Sequence, residues 1–153
     1  MDAGEVPAAV EFEERWLRAV ADIDNLRKRY AIALAREQAA ERARVAAAWL
    51  PILDNLELAL EHAPSDGNAV TAGVQAVRDQ AVRVLTALGY PRHDETGVQF
   101  DPARHEAVSV QPGTGADRGT VLRIVRPGYG DGAAQLRPAS VVVAGDPVPA
   151  AME

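Results

Sequence analysis

Apolar residues recur every three or four positions through the first half of the chain, then give way after residue 90 to short β-branched runs between glycines and prolines. Residues 8–50 hold neither proline nor glycine and are dense in Ala, Glu, Arg and Leu, all strong helix formers, so the spacing predicts one long helix. At ~1.5 Å per residue, about 40 residues extend roughly 60 Å, far more than a domain of this size needs for its own core. Trp16, Val20, Ile23, Leu26, Tyr30 and Leu34 follow steps of 4, 3, 3, 4 and 4, which average 18/5 = 3.6. Such a stripe stays on one side of a nearly straight helix. Further along, Ala39, Ala40, Ala43, Ala46 and Ala47 leave room for a second backbone to approach. Nothing else in the chain is long enough to cover the stripe, so a partner helix is expected on it.

Pro51 lacks an amide donor and crowds the preceding turn, which predicts a boundary or kink there. Helical spacing then resumes in PILDNLELALEHA through Ile52, Leu56, Ala59 and Leu60, with Leu53 at the margin and Leu58 on the opposite side, either exposed or against a second helix. The run APSDGN breaks the helix and offers Asn68 as an N-cap. Val70, Val74, Val77, Ala81, Val84, Leu85 and Leu88 form one apolar face of the next helix, which Gly89 and Pro91 end. Gly73 inside it costs about 1 kcal/mol relative to alanine, and close packing is the expected compensation. Beyond Pro91, AVSVQ, TVLRIV and SVVVA read as strands and GADRG and PGYGDG as turns, with Val141, Val142 and Val143 suited to a buried strand. The fold class is therefore α+β. Residues 1–7 read as a flexible leader, 8–90 as a helical region, 91–145 as a small β domain and 146–153 as a flexible tail.

Composition sharpens this picture. The chain has 153 residues, and its 48% hydrophobic content is largely alanine, with two Trp, three Tyr and two Phe, so the core is thin and association is expected. With no cysteine there is no disulfide, thiolate nucleophile or thiolate metal site, which fits a reducing, cytoplasmic setting. A net charge of −6 argues against general binding to a nucleic-acid backbone. No apolar run approaches the roughly 20 residues that cross a bilayer, and the first residues lack a basic segment followed by an apolar one.

Candidate chemistry is sparse. His105 and Glu106 lie in FDPARHEAV, but no second His stands at the fourth position after the first, so the zincin pattern fails. His93-Asp94 adds no ligand spacing, no Ser sits in a Gly-flanked nucleophile turn, and PGYGDG has no Lys-Ser or Lys-Thr pair for a phosphate loop. No enzyme activity, cofactor or metal is expected. The contrast that stands out is NLRKRY, where Arg27, Lys28 and Arg29, with Arg36 beyond, form a basic patch on a chain that is acidic overall. Such a patch steers an acidic protein partner.

In order along the chain, DIDNLRKRY, LPILDNLELALE, GVQAVRDQAVRVLTALGY, FDPARHEAV, RPGYGDG and LRPASVVVA resemble the GrpE family, nucleotide-exchange factors of DnaK-type heat-shock chaperones. The resemblance covers most of residues 18–144. It implies a parallel homodimer whose long helices pair, shorter helices from both chains in a four-helix bundle, and a mostly antiparallel β domain on each chain that contacts the chaperone's nucleotide-binding domain. Carried over by position, Arg27, Lys28 and Arg36 match basic helix contacts, Phe100 and Val143 match apolar contacts of the β domain, and Gly73 matches a bundle glycine. Trp16, Val20, Ile23, Leu26, Tyr30, Leu34, Leu56 and Val77 are the expected packing positions. Ala133 and Ala134 occupy a turn where relatives usually carry a basic contact, for which Arg137 or Arg126 is the candidate substitute. Ser140 stands where methionine is frequent and Pro127 where lysine is. The family reading is cleft opening and ADP release; the alternative is a dimeric coiled-coil scaffold with a β recognition module and no exchange activity.

Overall fold

A computed structural model describes residues 5–64 and 68–146. The chain divides into two compact units, Met1–Arg42 and Ala43–Glu153. Helix α1 spans Glu5–Glu61 and α2 spans Ala69–Ala87. The strands are β1 (Arg92–His93), β2 (His105–Gln111), β3 (Val121–Arg126), β4 (Gly128–Tyr129) and β5 (Ala139–Ala144), with a 3-10 turn at Gly132–Ala134. The class is α+β. Helix α1 takes in residues 5–7, which the sequence reading left in a leader, while residues 1–4, most of the tail, and Ser65, Asp66 and Gly67 of the break between the helices lie outside the described residues.

The described part of the first unit is helical, and its stripe lies open: Trp16, Val20, Ile23, Leu26, Tyr30 and Leu34 are all exposed in the single chain.

The second unit holds the cores. Of the boundary or kink expected at Pro51, no boundary forms, since Pro51 sits inside α1. Proline there forfeits a hydrogen bond and costs about 3 kcal/mol. Its neighbours Leu50 and Leu53 are buried with Ala46, Leu85, Tyr90 and Tyr129, and that packing outweighs the local cost. The spacing misplaced the inner face of this segment, because Leu53, expected at the margin, is 2% exposed whereas Ile52 is 49% exposed. Residues 43–60 carry two apolar faces. Ala46, Leu50 and Leu53 turn inward, Val45, Trp49 and Ile52 turn to solvent, and Leu56 is half-buried between them.

Helix α2 divides in the same way. Leu85 is buried and Val74 and Ala81 half-buried, while Val70, Val77, Val84 and Leu88 are exposed. A Cβ built at Gly73 meets nothing within 4 Å, so the close packing expected there is not supplied by its own chain. The Asn68 cap is present, its side-chain carbonyl accepting from Thr71 N–H at 2.9 Å. Gly89, at φ +92°, closes the C-terminus, with Tyr90 N–H donating to Leu85 C=O at 2.9 Å.

The three predicted strands correspond to β2, β3 and β5. Strand order is β2-β5-β3, with β5 antiparallel to β3 and parallel to β2, and all six β5 residues are buried because β5 is paired on both sides. The PGYGDG stretch, read as a turn, instead contributes β4, which pairs antiparallel with β1. The turn is confined to its second half, at Gly130 (φ +80°) and Gly132 (φ +50°), and a Cβ at Gly130 would strike the Ala134 carbonyl. A second core gathers Val121, Ala139, Val141 and Val143, with Phe100 and Ile124 partly buried against it.

Candidate partner-binding surfaces

On α1 the basic run is open to solvent. Lys28 Nζ pairs with Asp24 Oδ2 at 2.6 Å, one helical turn back, both side chains more than half exposed. Arg27, Arg29 and Arg36 have no ion-pair partner among the described residues. Arg27 and Arg36 stand nine positions apart, and at ~100° per residue they leave opposite sides of the helix, whereas Lys28 and Arg36 fall within ~80° of each other. One α1 therefore does not present all three to a flat surface.

The FDPARHEAV stretch forms a braced turn. The Asp101 carbonyl accepts from Arg104 N–H at 3.0 Å and His105 N–H at 2.8 Å, and its side chain accepts from Ala103 N–H at 2.9 Å. The Asp101 amide in turn donates to His105 Nδ1 at 3.0 Å, which commits that nitrogen as an acceptor and places the neutral ring's proton on Nε2. Phe100, half-buried on the second core, has its ring centroid 5.9 Å from that of His105. His93 is buried between Arg104, which donates to Nδ1, and Asp131, whose Oδ1 lies 3.0 Å from Nε2. These histidines hold turns together, and among the described residues no three His, Asp or Glu side chains group to hold a metal ion.

Two expected contact residues are engaged elsewhere. Val143 is 7% exposed and packs with Val121, Ala139 and Val141, because pairing on both sides of β5 draws its side chain into the core. Arg137 forms a two-pronged pair with Asp54 at 2.6 and 2.5 Å, donates from Nε to the Pro127 carbonyl at 3.0 Å and lies 5.6 Å from the Tyr129 ring centre. In the free chain these contacts hold it in the junction, while Ala133 and Ala134, where the basic contact was expected to be absent, are exposed. Arg126 and Arg123 are exposed. Their register partners Ser140 and Val142 place them on the face of the sheet opposite Val121, Val141 and Val143.

Sequence reasoning missed the charged junction that Arg137 belongs to. Glu57, one turn beyond Asp54 on α1, accepts from Arg78 of α2 at 3.2 Å to each oxygen and from Arg92 of β1. Arg92 also donates to Asp94 at 2.6 Å and to the Tyr129 hydroxyl at 3.4 Å. Burial alone would lower the Arg92 pKa, but the hydrogen bonds to Glu57 and Asp94 outweigh it and hold the guanidinium above its ordinary range. Tyr129 is pushed up from 10.0, first by burial, although Arg92 pulls the other way. The one local signal was the spacing of Asp54 and Glu57, three apart on a helix; their arginines lie 83 and 35 positions away.

Comparisons with known proteins give one answer. The GrpE family model matches residues 7–145. Protein GrpE 2 of Streptomyces avermitilis is 63% identical over 136 residues, covering 89% of this chain and 67% of the relative. Protein GrpE of Thermus thermophilus is 37% identical over 131 residues, 86% of this chain and 72% of that one. Protein GrpE of Afipia carboxidovorans is 36% identical over 155 residues, 95% and 78% of the two. With its ordered motifs, its α+β fold and these matches over most of its length, the chain belongs to the GrpE family.

Proposed function

We propose that the chain is a nucleotide-exchange factor: a parallel homodimer that binds the nucleotide-binding domain of a DnaK-type chaperone, opens its cleft and speeds ADP release, with no catalysis of its own. The family match over residues 7–145 carries the reading. The exposed apolar positions support the dimer. Trp16 to Leu34 in one unit, and Val45, Trp49, Ile52, Val70, Val77 and Val84 in the other, are large apolar residues left in water by a single chain. Burying each is worth about 1.5–3 kcal/mol. Gly73 lies open on the same side of α2 as Val77 and Val84, which leaves room there for a second chain to approach closely.

Pairing also resolves the divided basic run. Measured from the centre of the stripe at ~100° per residue, Arg27 and Lys28 lie ~40° and ~140° to one side and Arg36 ~140° to the other. In a parallel pair, each flank then carries Arg27 of one chain near the seam, with that chain's Lys28 and Arg36 of its partner copy further out on the same flank. Phe100 and the exposed Arg126 are the β-domain contacts we retain.

Light scattering of the mixture with the cognate chaperone tests this reading. The expected complex holds two copies of this chain and one chaperone. Reversing charge at Arg27 and Lys28 weakens the complex while the dimer mass stays unchanged. Failure to bind, or binding by a monomer, overturns it. The scaffold reading shares the dimer and separates from exchange only at ADP release.

A further inference from the structure

The junction of α1, α2 and the β strands is tied by charge to a degree that packing alone does not require. Asp54 and Glu57 sit one turn apart on α1. Asp54 holds Arg137, just ahead of β5, through both terminal guanidinium nitrogens, and Glu57 holds Arg92 of β1 and Arg78 of α2. The side chains of Arg137 and Arg92 are 13% and 17% exposed, so these pairs are shielded from the screening that makes surface pairs weak. Tyr129 stacks beneath Arg137 and meets Arg92 through its hydroxyl, joining the two clamps. A two-pronged arginine pair fixes orientation as well as distance.

We propose that Asp54–Arg137 and Glu57–Arg92 are positioning pairs for nucleotide exchange: they hold the β domain rigidly on the end of α1 and on α2, so that docking displaces the chaperone's cleft rather than bending the exchange factor. This rests on the exchange reading above. A factor that opens a partner's cleft must be stiffer than the cleft it opens, because compliance at its own junction lets the closed, ADP-bound state persist in the complex. The pairs touch no nucleotide and need touch no chaperone, so their loss leaves affinity largely intact and lowers the rate reached at saturation.

The test uses the full chain and its chaperone. In Asp54→Asn/Glu57→Gln, the carboxylates are replaced by near-isosteric amides. The half-saturation concentration for the chaperone is expected to stay within about threefold of wild type while the saturating ADP-release rate falls about tenfold. Arg137→Lys, which keeps the charge and loses the fork, gives an intermediate rate and decides the matter if the double variant does not fold. Orientation is read separately. The chain has no cysteine, so Thr86→Cys, exposed on the side of α2 turned away from Gly73, Val77 and Val84, and Glu95→Cys take spin labels cleanly, and dilution with excess unlabelled chain isolates the distances within one copy. That distribution is narrow in the wild-type background and broadens in the double variant. An unchanged release rate, a rate that falls only in step with affinity, or an unchanged distribution overturns the proposal. A wild-type chain that binds without speeding release overturns the exchange reading instead, a distinct result.

Discussion

Tyr129 shows how one side chain ties the stability of the junction to pH. Its phenol is buried beside Glu57, Arg92 and Arg137, and burial is the main cause that raises its pKa above 10.0. A raised acid is held neutral by the fold. Its contribution is therefore fully present below the unfolded value, near pH 10, and is lost as pH climbs from there through the folded value. Melting temperatures taken from about pH 8 to about pH 11 should fall more steeply in the wild type than in Tyr129→Phe. Equal alkaline slopes would show that the phenol does not titrate against the fold. His105 lacks ligand spacing in the sequence, and in the structure its Nδ1 accepts from the Asp101 amide and braces the turn. Val143 and Arg137 were matched to surface contacts by position in a motif, which carries no information about burial.

Helix α1 explains what periodicity reveals and what it hides. Steps of three and four residues identified the helix, the Asn68 cap and the Gly89 stop, because these depend on neighbours in the chain. They did not rank the faces of residues 43–60, where two apolar stripes share one segment and the choice between them depends on what packs from afar. The β-branched runs located β2, β3 and β5, but the parallel pairing of β2 with β5 joins His105 to Ala139, a register that no local pattern encodes. The two stripes of α1 give opposite predictions. Leu53→Ala should destabilise the fold by about 2–5 kcal/mol without changing the mass of the assembly. Trp49→Ser with Ile52→Ser should shift sedimentation-equilibrium mass toward the 16.3 kDa single chain, with the second unit still folded. The reverse pairing of outcomes would exchange the inner and outer faces.

An exchange factor needs no reactive group, only a preference for the nucleotide-poor form of its partner. Linkage makes that preference reciprocal: raising the chaperone's ADP dissociation constant about a hundredfold takes roughly 2.7 kcal/mol of differential affinity. A modest set of contacts, such as those proposed for the helix arginines and Phe100, is enough to supply it. The decisive measurement is the release of a fluorescent ADP analogue from the cognate DnaK-type chaperone, chased with excess unlabelled nucleotide, with and without this chain. Exchange activity predicts release that accelerates with concentration and saturates as the complex fills. A complex that forms while release stays at its unassisted rate contradicts exchange and leaves a dimeric scaffold.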